Sequence, residues 1–167
     1  SFSDVAGASA HAIVSATTDA SGNYTKGVTT GTWYVAVASS TYNTSADQVV
    51  AVATANVTGI NFTLVTNANV TGTVTRASDG TPVSGASVYF SRSAGASASP
   101  VFTVTTNASG NYTKAVQDGV WYVAAGATGL YTSTDKSITV NGVAVGGIGF
   151  ALKSDVRNIP QTTDLLF

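Results

Sequence analysis

Cysteine, methionine and glutamate are all absent from this chain of 167 residues. Without cysteine there is no disulfide framework, no thiolate nucleophile and no cysteine-based metal site. Charge is scarce too: eight Asp against seven Lys or Arg leave a net charge of −1, with 9% of residues charged. No basic face exists to track phosphates, so nucleic acid is not an expected partner. No apolar run approaches the ~20 residues of a membrane-spanning helix. The only histidine, His11, sits in the opening of the chain, and the eight Asp are scattered along it. A hydrolase needs a base, an orienter and a nucleophile together, so the chain reads as non-enzymatic, with no cofactor and no metal. A chain that opens on Ser1 rather than Met is expected to be a processed, mature form, exported to the cell surface or beyond.

What is present is Ser and Thr, at 45 positions, with Val and Ala as the main apolar residues. That mixture suits half-buried strands. Residues 17–64 and 105–152 also align without a gap at an offset of 88, and 24 of the 48 positions are identical. A match of that length marks a duplicated folding unit. The second copy has a full lead-in, Asn69 to Thr75 and then Asp79 to Ser87. The first copy opens at Val5-Ala6-Gly7-Ala8-Ser9, which reads as the counterpart of Val83-Ser84-Gly85-Ala86-Ser87, with His11 in place of Tyr89. Copy one is therefore expected to lack its opening strand. The expected division is 1–65, an incomplete first repeat; 66–152, a complete second repeat; and 153–167, an extended C-terminal tail.

Apolar residues recur with period two: Val70, Gly72 and Val74; Ala86, Val88 and Phe90; Ile148, Phe150 and Leu152. Turn signals punctuate them at Asp79-Gly80, Ser109-Gly110, Asp118-Gly119 and Asn141-Gly142. Short strands with frequent turns predict an all-β sandwich. Asp19 becomes Asn107 in the twin, which keeps an Asx turn and discards the charge, so a turn role is expected rather than a metal-ligand role. Trp121 alternates in phase with Val123, so Trp33 and Trp121 are expected in the core.

The motifs Val70-x-Gly72-x-Val74, Asp79-Gly80-x-Pro82-x-x-Gly85-Ala86-x-Val88, Thr106-x-x-x-Gly110-x-Tyr112 and Gly119-x-Trp121-Tyr122-Val123 together resemble the carboxypeptidase regulatory-like domain. The resemblance covers residues 69–152 in full and 5–64 less the opening strand. It implies two tandem seven-stranded β-sandwiches of Ig-like or transthyretin-like type. It implies little about activity, since such domains serve as stalks, accessory modules and fibre subunits.

Two further features bear on function. The N-x-[ST] pattern occurs at Asn23, Asn43, Asn56, Asn61, Asn69, Asn107 and Asn111, seven times where ten Asn among this much Ser and Thr would give about three. Covalent glycans are expected. The tail from Ile159 through Thr163 ends in Leu165, Leu166 and Phe167, three large apolar residues that a solitary monomer would expose. Laid beside Val5 of a second copy, the tail would supply the missing strand: 18 residues separate Leu64 from Val83, and the tail plus Ser1 to Asp4 gives 19. Such a contact is heterologous and builds a filament. The sequence therefore points to a homopolymeric, pilus-like extracellular fibre. The alternatives are a fragment of a multi-domain adhesin or stalk, and a monomeric carbohydrate-binding module.

Overall fold

Alternation of Val, Ile and aromatic residues with Thr and Ser yields ten strands and no helix among residues 1–155, the part described by the computed structural model. The chain divides into two compact units, Ser1–Asn67 and a second beginning at Ala68.

The second unit contains β4 (Ala68–Arg76), β5 (Ser87–Ser91), β6 (Phe102–Thr105), β7 (Asn111–Val116), β8 (Gly119–Gly126), β9 (Lys136–Val140) and β10 (Phe150–Leu152). They form a three-stranded sheet, β10-β4-β7, and a four-stranded sheet, β6-β5-β8-β9. The inward positions of both sheets meet in one core: Val70 and Val74 from β4, Val88 and Phe90 from β5, Tyr112 and Val116 from β7, Trp121 and Val123 from β8, Phe150 and Leu152 from β10. Each large apolar side chain buried there contributes ~1.5–3 kcal/mol. β4 is the middle strand of its sheet. It runs antiparallel to β7, with Gly72 opposite Tyr112, and parallel to β10, with Val74 opposite Phe150.

The first unit contains β1 (Phe2–Ser3), β2 (Gly31–Val35) and β3 (Gln48–Val52) in the order β1-β2-β3. Its register corrects the reading of the opening residues. Phe2 pairs with Val35 and Ser3 with Tyr34, as Phe90 pairs with Val123 and Ser91 with Tyr122. The Asp47 carboxylate accepts from the Gly7 amide at 2.6 Å and the Ala8 amide at 3.1 Å, just as Asp135 accepts from Gly95 at 2.6 Å and Ala96 at 3.2 Å. The offset of 88 thus runs back to the start of the chain, through the shared run Ala6-Gly7-Ala8-Ser9-Ala10 and Ala94-Gly95-Ala96-Ser97-Ala98. The small-residue pattern V-x-G-A-S at Val5 and Val83 is a coincidence of composition. His11 corresponds to Ser99, not Tyr89, and Val5 lies in an exposed bend after β1 rather than at a strand start. Among the described residues copy one accordingly has no counterpart of residues 68–88: all of β4, the following turn and the first two residues of β5.

Both expected Asx turns are present. Asp19 Oδ1 accepts from the amides of Ser21 (2.9 Å) and Asn23 (2.8 Å), and Asn107 Oδ1 accepts from Ser109 and Asn111, each at 3.0 Å. The amide bond from Asn23, helped by that from Ser21, holds the exposed Asp19 carboxyl below its ordinary range. A depressed carboxyl contributes stability above its unfolded pKa, about 4, and loses it as pH falls through the folded value. Asp19→Asn is expected to keep the turn and to flatten the acid side of the first unit's stability profile, measured by chemical denaturation from pH 6 down to about pH 2.

Candidate acceptor groove

The missing counterpart of β4 leaves a specific gap. In the second unit β4 separates β7 from β10 and hydrogen-bonds to both. The matching segments of the first unit, residues 23–28 and 62–64, have no strand between them and form no ladder. Around β4, Thr71 N–H donates to the Val145 carbonyl, Val145 N–H to the Asn69 carbonyl, Ile148 N–H to the Thr71 carbonyl and Val74 N–H to the Gly110 carbonyl. Among the described residues, Gly22, Val57 and Ile60, the counterparts of Gly110, Val145 and Ile148, make none of these backbone bonds.

Side chains report the same gap. Tyr112, Val116, Phe150 and Leu152 are buried, whereas Tyr24, Val28, Phe62 and Leu64 are only half-buried. On the sheet that is present, Trp33, Val35 and Val50 stay buried like their twins Trp121, Val123 and Ile138. Between residues 22–28 and 52–61 lies an open groove of about 580 Å³, whose walls include Tyr24, Lys26, Val28, Val52, Val57 and Ile60. A groove with mixed apolar and polar walls and backbone groups outside any ladder is suited to an extended peptide, since main-chain bonds give affinity and alternate side chains fill pockets.

One bond crosses the groove. The Tyr24 hydroxyl donates to the Ile60 carbonyl at 2.7 Å, and its twin, Tyr112 to Ile148, spans 2.6 Å. In the second unit β4 passes this bond at Gly72. A Cβ built there would lie 1.9 Å from the Ile148 carbonyl oxygen and 2.7 Å from the Tyr112 hydroxyl. Burial raises the phenol pKa of both tyrosines, so each is a firm donor at neutral pH.

Of the expected contact residues, Ile159, Thr163, Leu165, Leu166 and Phe167 lie outside the described residues, and Val5 is not on the groove wall. Asn23, Asn56, Asn61, Asn69, Asn107 and Asn111 are exposed, and Asn43 is partly buried. Asn23, Asn56 and Asn61 border the groove. Asn23 and Asn61 alternate with the inward Tyr24, Ile60 and Phe62, so a glycan on either would project from the outer face. Tyr24 with Tyr112 and Ile60 with Ile148 are among the identical pairs of the repeat, the one signal of the crossing bond that the sequence carries.

The model of the carboxypeptidase regulatory-like domain matches residues 69–153, just over half of the chain. The chain belongs to this family. No curated protein sequence matches it. Among solved structures, this carboxypeptidase regulatory-like chain is similar to a streptococcal ancillary pilin, at 14% identity and a TM-score of 0.47, over 78% of this chain and 44% of that one. It is also similar to the group B streptococcus pilus 2b backbone protein, at 12% identity and a TM-score of 0.44, over 66% of this chain and 45% of that one. A third likeness is to the Bacillus anthracis TIE protein, at 14% identity and a TM-score of 0.46, over 83% of this chain and 28% of that one. The chain spans less than half the length of each.

Proposed function

We propose that this chain is a structural, non-enzymatic subunit of an extracellular fibre at the cell surface, in which the first unit takes a β-strand from a neighbouring copy into its open groove. The observation that carries the reading is the open groove between residues 22–28 and 52–61, set beside a second unit in which β4 runs along the matching residues 111–116 and 145–148. The donor is the C-terminal tail. The match of 18 and 19 residues, counted from Val83 and Val5, does not survive the corrected register: residues 65–89, 25 in number, precede Phe90, whereas the tail and Ser1 give 16 before Phe2. A donated strand needs no covalent turn into β1, so a shorter count governs. Three residues separate Leu64 from Ala68 at the start of β4; the same spacing after Leu152 reaches Val156 and leaves twelve residues for a nine-residue strand.

In an extended strand Leu165 and Phe167 would share one face, and burying each would contribute ~1.5–3 kcal/mol before the cost of ordering the segment. Donor and acceptor are different segments of the chain, so the contact is heterologous and repeats head to tail. Glycans on the exposed sequons would coat the outside of such a fibre. Deleting Thr163 to Phe167 is expected to abolish polymers seen by electron microscopy and light scattering while leaving the melting of the second unit unchanged. A synthetic peptide of residues 156–167 should raise the melting temperature of the first unit in trans. Truncated chains that still form the same fibres would rule the tail out as donor.

A further inference from the structure

Resting on the acceptor reading, we infer that the Tyr24–Ile60 hydrogen bond is a selectivity latch across the groove: a strand with glycine at the crossing point seats with the latch closed, whereas the glycine-free tail of a second copy enters only when it opens.

The second unit shows the filled state. Gly72 sits opposite Tyr112 in the β4–β7 register, and the tyrosine side chain runs past it to reach the Ile148 carbonyl. The nearest obstacles to a Cβ at this point are a backbone oxygen at 1.9 Å and the backbone carbon behind it at 2.6 Å. Neither is the free end of a flexible side chain, so any residue larger than glycine must push the carbonyl away and break the bond to the tyrosine. The φ of Gly72 is not left-handed, so glycine is required for space rather than for conformation.

The first unit shows the same latch with no strand beside it. Tyr24 keeps its bond to Ile60, and the turn that presents the carbonyl is preserved: Gly59 (φ 78°) precedes Ile60 as Gly147 (φ 75°) precedes Ile148. On the groove wall beside it Val28 matches Val116 and Val57 matches Val145, so an entering strand meets side chains of the kind that β4 meets. Residues 153–167 contain no glycine. Whichever tail residue reaches the crossing point therefore brings a Cβ to the Ile60 carbonyl. Opening of the latch becomes a step in assembly, one that disfavours premature occupation of the groove by arbitrary strands.

Three peptides test this on the full-length chain under monomeric conditions: the sequence of residues 68–76, the same peptide carrying Gly72→Ala, and residues 156–167. Binding is read from nuclear magnetic resonance shifts of Lys26 and Val57 at the groove wall. On the wild-type chain the glycine peptide is expected to bind at least about tenfold more tightly than its alanine version, the scale of one lost hydrogen bond. In Tyr24→Phe that ratio should shrink to about threefold or less, the tail peptide should bind more tightly than it does to wild type, and fibre growth should accelerate. Equal binding of the glycine and alanine peptides to wild type, or equal binding of the tail peptide to wild type and Tyr24→Phe, would overturn the latch and leave the acceptor groove standing. If no peptide shifts the groove residues, the acceptor reading itself falls, and the latch with it. Should Tyr24→Phe fail to fold, the two peptides on the wild-type chain decide the matter alone.

Discussion

Trp121→Ala is expected to cost the second unit about 3–5 kcal/mol, the range for removing a large aromatic from a packed core. The indole is 2% exposed and lies against Phe90 (centroids 6.5 Å apart) and Phe102 (5.6 Å). Its outer face carries the Arg92 guanidinium, 3.8 Å from the ring centroid, and its Nε1–H donates to the Gln117 carbonyl at 2.8 Å. Truncation would empty a cavity walled by two aromatics, strand a carbonyl and remove a cation–π contact together. The twin, Trp33, keeps the bond to the Thr29 carbonyl at 2.9 Å, but the positions of Phe102 and Arg92 are taken by Val14 and Asp4. With fewer partners and half a sandwich around it, Trp33→Ala is expected to cost about 2 kcal/mol, below the range for a fully packed aromatic. The wild-type chain should accordingly unfold in two steps, the first unit before the second. Calorimetry paired with fluorescence of the single-tryptophan variants Trp33→Phe and Trp121→Phe separates the steps. Trp121→Ala should lower only the upper transition; a single cooperative transition for the whole chain would refute the ordering.

How much of this was legible in the sequence depended on whether a signal was local. The all-β architecture, the Asx turns at Asp19 and Asn107 and the burial of both tryptophans follow from alternation and turn chemistry within a few residues, and the structure has all of them. The duplication was equally plain, because Tyr24 through Lys26 and Trp33 through Ala36 repeat without a gap. The start of copy one is ambiguous in the sequence because Val, Gly, Ala and Ser recur so often that V-x-G-A-S at Val5 matches Val83 as well as the true alignment matches Ala94 to Ala98. What settled the register was long-range: the Asp47 carboxylate on the Gly7 and Ala8 amides, and Phe2 against Val35. The groove is likewise a consequence of topology. Nothing near Tyr24 or Ile60 in sequence announces that the strand belonging between them is the one copy one lacks. That requires knowing that β4 is central, pairing β7 on one side and β10 on the other.

Gly72→Ala turns that topology into a measurable effect, and its sign distinguishes two opposing forces. At an extended position that alanine can adopt, replacing glycine stabilises by about 0.4–1 kcal/mol, because the unfolded chain has less freedom to lose. At Gly72 the added methyl meets the Ile148 carbonyl oxygen at 1.9 Å and displaces the bond from Tyr112. Overpacking against backbone costs about 1–3 kcal/mol, and a buried hydrogen bond lost with its acceptor left unpaired costs a further ~1–3 kcal/mol. The steric terms win, and the variant should be destabilised by about 3 kcal/mol net. Tyr112→Phe alone should cost about 1 kcal/mol, the hydrogen bond without the clash. In the double variant the bond can be lost only once and the freed carbonyl has room to retreat, so the combined loss should fall short of the sum by about 1 kcal/mol. Urea denaturation of the four proteins, following the upper transition, closes the cycle. Strict additivity would mean that the glycine and the tyrosine act independently, and that β4 does not need a gap in its side chains to pass beneath the bond from Tyr112 to Ile148.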